Sequence, residues 1–203
     1  MTDAVTRATK VRAMTGRLPR TPRSDAQDNR ERILDAARAV FAAEGLNAPM
    51  REIARRAGVS PATVYRRFPT KTDLAHAVYL DQSRTCQAIV HEGLADPDPW
   101  NGFRRMIEQV FDLHARDRGF PAAFASAYPN AMDFAADRNA SLRAVAELAR
   151  RAQASGELRS DFTVNDLVLV MVAHRGLRAG STDARLAASR RFATLAIQAF
   201  QTA

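Results

Sequence analysis

Three helix-start signals follow one another at intervals of roughly ten residues: Pro49, then Ser60 with Pro61, then Thr70 with Asp73. Proline tolerates the first helical position because its missing N–H has no intrahelical partner there, and a hydroxyl at the cap accepts a bond from a free backbone N–H. The spacing predicts two short helices, one from Met50 to Ala57 and one starting at "SPAT", then a longer one from Lys71 to about His91. Helices of two turns are marginal in water unless neighbours bury their apolar faces. Ile53, Ala54, Val59, Val64 and Phe68 supply such faces, and Gly58 supplies the tight turn because glycine accepts positive φ. A preceding helix is predicted to receive them: Asp28 and Glu31 stand at capping-box spacing, and Ile33, Ala37, Val40 and Phe41 recur on one face up to Gly45.

Beyond "ADPDPW", whose prolines forbid a continuous helix, further helices are expected at about 99–117, 121–128, 131–155, 163–179 and 183–201. Thr163 with Asp166 repeats the capping-box spacing, and Gly156 suits a helix C-terminus. The run "LVLVMVA", residues 167–173, is apolar all round and also fits a buried strand, but the cap before it and Gly180 after it frame a helix. The fold class is therefore all-α, with about nine helices. Three divisions are expected: a disordered basic arm over 1–27, a three-helix unit over 28–74 and a larger helical unit over 75–203.

With 46% hydrophobic and 26% charged residues, and no apolar run long enough for a membrane span, the chain reads as a soluble globular protein. Cys86 is the single cysteine, which excludes an intramolecular disulfide and a four-cysteine metal site and fits the cytoplasm. The net charge of +8 is uneven: residues 1–24 carry six basic side chains against Asp3 alone. That leader lacks the apolar core of a secretory signal; it fits a solvated tail or an arm lying along a DNA groove.

Two short helices joined at Gly58 have the layout of a helix-turn-helix, whose second helix enters the DNA major groove. With Val64 and Phe68 turned inward, Pro61, Ala62, Thr63, Tyr65, Arg66 and Arg67 are left outward or at the edge. The hydroxyls of Thr63 and Tyr65 suit phosphate oxygens or base acceptors, and Arg66 or Arg67 can grip phosphate or fork onto guanine. Lys71 follows the Thr70 cap, where free N–H groups and the helix dipole favour an anion.

Residues 32–74, "RILDAARAVFAAEGLNAPMREIARRAGVSPATVYRRFPTKTDL", resemble the DNA-binding domain of the tetracycline-repressor-like (TetR/AcrR) regulators. The signature runs through Ile53, Ser60, Thr63, Tyr65, Phe68, Lys71 and Leu74. The resemblance implies DNA contacts at Ser60, Thr63, Tyr65, Arg66, Arg67 and Lys71, with Pro61 and Ala62 nearest the bases. Pro49 stands where the family usually has Ser or Thr, and Arg51 is the candidate substitute for the lost phosphate contact. A regulator of this kind is expected to bind a palindromic operator as a homodimer and to be released by a small-molecule effector. A non-specific architectural DNA binder is the alternative, though it leaves the nearly neutral C-terminal two-thirds without a role.

For the dimer interface the candidates are Leu167, Val168, Met171 and Val172 on one helix and Leu186, Phe192, Ala196, Ile197 and Phe200 on the next, unless these fill an intrachain core. The resemblance implies a central effector pocket, for which Trp100, Phe103, Met106, Ile107, Val110, Phe111, His114, Phe124, Tyr128, Leu142 and Val145 are the candidate walls; plain core is the other reading. His114 with Asp117 one turn on is the best polar candidate. Neither metal nor cofactor is expected: His76, His91, His114 and His174 contain no pair at metal-ligand spacing, and no phosphate loop or nucleophile elbow argues for an enzyme.

Overall fold

The computed structural model describes residues 22–202, positions 118 and 132 excepted, with side chains from Gln27 onward. Among the described residues there are nine helices and no strand beyond one isolated bridge, Leu158 to Gln201. Residues 1–21 of the expected disordered arm lie outside the described residues, and its end, 22–27, is helical and belongs to the first helix. The helices are α1 (Pro22–Glu44), α2 (Met50–Ala57), α3 (Pro61–Arg67), α4 (Lys71–Ala95), α5 (Pro99–Asp117), α6 (Phe120–Ala127), α7 (Phe134–Ala154), α8 (Val164–Arg175) and α9 (Thr182–Phe200).

Two starts differ from expectation. α1 begins at Pro22, so Asp28 is an interior position and not its cap; proline is well suited to a first turn, and the chain uses that earlier start. Pro49 is the extended residue before α2, with φ −70° and ψ 139°, and makes no side-chain cap. Over 167–173 the helical reading holds. There the Thr163 N–H donates to the Asp166 carboxylate at 2.7 Å, and this bond, joined by the Thr163 hydroxyl, holds Asp166 below its usual carboxylate range.

The apolar side chains gather into two cores. One holds Ile33, Leu34, Val40 and Phe41 of α1, Met50 and Ile53 of α2, Val64 of α3, and Leu74 and Val78 of α4, together with Phe120 and Phe124 of α6. The other joins the far end of α4 to α5, α7, α8 and α9 around Phe103, Phe111, Leu148, Leu158 and Phe200. The hydrophobic interior therefore does not divide at residue 74: α6 completes the N-terminal core, with Phe41 and Phe120 stacked at 5.6 Å between ring centroids. Where α4 and α5 cross, Gly93 faces Gly102 with backbone against backbone; a β-carbon on Gly102 would lie 2.3 Å from the Gly93 carbonyl oxygen.

Candidate nucleic-acid interface and central cavity

The helix-turn-helix is built by local capping. Gly58 takes φ 65° and ψ 36°, and the N–H groups of Gly58 and Val59 close back onto the carbonyls of Arg55 and Ala54, which ends α2 and redirects the chain. Ser60 then caps α3: its Oγ accepts from the Thr63 N–H at 3.2 Å and lies 2.9 Å from Thr63 Oγ1, while Arg66 donates to the same Thr63 oxygen at 3.3 Å. Val64 is fully buried. That anchor turns Pro61, Ala62, Tyr65, Arg66 and Arg67 outward, with Thr63 half-buried, and the Tyr65 side chain is 51% exposed.

Arg51 is exposed on the first turn of α2, where no side chain caps the helix. Lys71 differs from expectation. Its ammonium donates to the Asn47 carbonyl at 2.9 Å and ties α4 to the α1–α2 loop, although an ammonium keeps further N–H groups for other acceptors. The N-terminus of α4 is also less open to an anion than the sequence suggests, because the Asp73 carboxylate already accepts from the Thr70 N–H at 3.0 Å. Two contributors escaped sequence reasoning: Asn29 and Arg30 of α1 line a groove of about 280 Å³ with Thr63, Arg66 and Arg67. The basic helix face thus continues onto α1, a contact that no local motif encodes.

A second feature lies between α4, α5, α6, α7 and α8: a cavity of about 430 Å³. Of the expected wall residues His114 and Leu142 line it. Trp100, Phe103, Met106, Ile107, Val110 and Phe111 of α5 instead fill the second core, because the face that carries them looks toward α7 and α9, and Val145 of α7 joins them there. Phe124 and Tyr128 pack on the N-terminal core. The actual walls include Leu113 of α5, Pro121, Ala122 and Ala125 of α6, Phe134 of α7, and Val168, Met171 and Val172 of α8. Burial pushes the His114 imidazole down to about 4, helped by Arg175 and His174, and pushes the Asp117 carboxyl up to about 6 against the opposing charge of Arg38.

The expected interface residues also divide. Leu167, Ala196, Ile197 and Phe200 are buried within the chain's own core, and Met171 and Phe192 pack against it, because the inward stripes of α8 and α9 close the second core. Leu186 and Val168 are half-buried. Of the expected residues Val172 is exposed, at 57%, and the rest of the apolar excess lies on other positions, Leu169 at 69% and Leu195 at 47%. Inside, His174 Nε2 and Ser189 Oγ join α8 to α9 at 2.8 Å.

Among the described residues no helix is long and apolar enough to cross a membrane, and no cluster of three potential metal ligands occurs. The pattern of the bacterial regulatory proteins of the tetR family matches residues 33–78, and that of an SbtR-like transcriptional regulator C-terminal domain matches residues 98–198. An HTH-type transcriptional regulator of Staphylococcus aureus (strain USA300) is 42% identical over 57 residues, which are 28% of this chain and 31% of that protein. The match thus spans about a third of the curated relative's length. The solved TetR transcription regulatory protein of Mycobacterium vanbaalenii is 32% identical, with 89% of this chain and 99% of that one covered and a TM-score of 0.65. For the TetR regulator SCO0520 of Streptomyces coelicolor the figures are 29%, 85%, 98% and 0.67. With its exposed α3, its helical C-terminal part and these likenesses over nearly its whole length, the chain belongs to the TetR family of DNA-binding transcriptional regulators, which are not enzymes.

Proposed function

We propose that the protein is a homodimeric repressor that leaves a palindromic operator when a small molecule enters the cavity between α4 and α8. The observation that carries this reading is the double role of α6. Phe120 and Phe124 on one face belong to the core beneath the helix-turn-helix, while Pro121, Ala122 and Ala125 line the cavity. A ligand that displaces α6 or α4 therefore disturbs the packing that orients α3. Coupling of about 1–3 kcal/mol, or roughly 5- to 150-fold in affinity, is enough to switch a promoter.

Pairing is supported by the exposed Leu169, Val172 and Leu195, which give α8 and α9 an outward apolar face suited to a four-helix seam with a second copy. Two copies would set their α3 helices on half-sites about 34–36 Å apart. Arg51, Ser60, Pro61, Ala62, Thr63, Tyr65, Arg66, Arg67 and Lys71 are the proposed DNA contacts, and the basic residues before α1 an arm that adds to them.

The test is selection of bound fragments from genomic DNA by the full chain, followed by a screen of small molecules for release. Enrichment of an inverted repeat, dimer mass in solution and release by one compound class are expected. Uniform recovery of all fragments would replace the reading with the non-specific binder.

A further inference from the structure

The cavity has a polar end that the protein leaves unfinished. Gln82 of α4 is 4% exposed and Asp117 of α5 is 1% exposed, and both line the cavity. Among the described residues neither Gln82 amide atom nor Asp117 Oδ1 completes a hydrogen bond, and the same holds for Nδ1 of His114, one turn before Asp117. The Gln82 side chain lies within hydrogen-bonding reach of the Asp117 carboxyl and tempers the rise that burial imposes on it, without closing a bond of good geometry. Folded chains seldom bury amides and carboxylates without partners, because water lost on burial must be replaced. Three such groups at one end of one cavity point to a ligand that supplies the missing bonds.

The surrounding charge restricts the head of that ligand. An anionic head would meet the Asp117 carboxylate. A cationic head would meet Arg138 of α7 and Arg175 of α8, which line the cavity with Asp137, and the charges of Arg38 and Arg116 that act on Asp117 from outside it. Asp117 Oδ1 and Gln82 Oε1 ask for donors, while Gln82 Nε2 asks for an acceptor. Beyond them Leu113, Leu142, Val168 and Met171 present an apolar wall.

We propose that the cavity takes an uncharged, mainly apolar molecule bearing a hydroxyl or carboxamide head, with the head bonded to Gln82 and Asp117. The assignment rests on the reading of this cavity as the effector site, and it deepens that reading by fixing the chemical class. Arg38 of α1, which pairs with Asp81 of α4, acts on Asp117 through its charge.

The test titrates four probes of one chain length, 1-octanol, octanamide, octanoate and octylammonium, into the full-length protein by calorimetry at pH 7.5. The two neutral probes are expected to bind at least about ten-fold more tightly than the charged ones. Gln82→Met should weaken octanamide by about ten-fold, and Asp117→Asn should admit octanoate, a gain that misfolding cannot imitate. Equal affinity for all four heads, preference for a charged head, no binding by any probe, or no gain of octanoate in Asp117→Asn would overturn the assignment. The same probes added to the DNA-bound protein separate the two claims. A charged probe that binds here and releases DNA ends the head-group assignment and keeps the effector reading; neutral probes that bind as expected without release do the reverse.

Discussion

Arg32 of α1 sets its guanidinium 2.6 Å from the carbonyl oxygen of Ala57, the last residue of α2, and 3.2 Å from that of Gly58. Those carbonyls lie at a helix end, where they lack intrahelical partners and the dipole favours a cation. The brace holds the turn that sets the angle of α3. Arg32→Met keeps most of the aliphatic stem and removes the donors, so stability should fall by about 1 kcal/mol, read as a lower urea midpoint at unchanged slope. An unmoved midpoint would show the brace to be solvated decoration.

Tyr65 and Lys71 should separate recognition from support. Tyr65 is half-exposed and has no side-chain hydrogen bond among the described residues, so Tyr65→Ala should weaken operator binding while leaving thermal stability within about 0.5 kcal/mol of the parent. Lys71→Ala also deletes the bond to Asn47 and should lower both. Arg66→Ala should reduce the magnitude of the log-log salt slope by about 0.9 if that side chain neutralises one phosphate. Binding assays across a salt series decide between them.

Asp117 and His114 drive stability in opposite directions with pH. Asp117 titrates at about 6 in place of 3.8, so between those values the folded chain holds a proton that the unfolded chain has released, and its contribution falls as pH rises. His114 titrates at about 4 in place of 6.5, so the unfolded chain holds the extra proton, and stability falls as pH drops through that window. From pH 4 to 6 the two offset each other. Asp117→Asn should therefore be more stable than the parent at pH 7, by about 3 kcal/mol, and more acid-sensitive below about 6. His114→Gln should gain stability, relative to the parent, as the pH falls. Urea midpoints at three pH values in all three proteins check the signs, and parallel pH profiles would contradict them.

Gly102→Ala places a methyl group 2.3 Å from the Gly93 carbonyl oxygen, with backbone as the obstacle, so the helices must part. Overpacking of this kind costs about 1–3 kcal/mol and should lower the melting temperature by several degrees. Gly180→Ala, with open space around its β-carbon, is the control and should not.

What could be read from residue order alone follows the range of the interactions. Caps, turns and the face of α3 depend on neighbours three or four positions apart, so Ser60, Gly58, Thr70 and the outward Tyr65 were legible. The inward assignment of Leu167, Ala196 and Phe200 was not, because α8 and α9 are apolar on more than one side and only packing decides which side closes the core. Cavity walls were missed for the same reason. Aromatic spacing on α5 marked its core face, while Gln82 and Asp117 fell together through the crossing of α4 with α5, a long-range event without a local signature. Arg30 joins the basic face only because α1 runs beside α3.

The glycine crossing near the end of α4 carries a mechanical consequence. Gly93 leaves its helix no slack against α5, so it is a fulcrum, and the rest of α4 is a stiff rod with Gln82 near its midpoint and Lys71 at its tip. At about 1.5 Å of rise per residue those points stand roughly 16 and 33 Å from the pivot. A push of about 1 Å at Gln82 would therefore become a stroke of about 2 Å at Lys71, so the rod would double a molecule-sized nudge at the tip that the proposed function sets against the double helix.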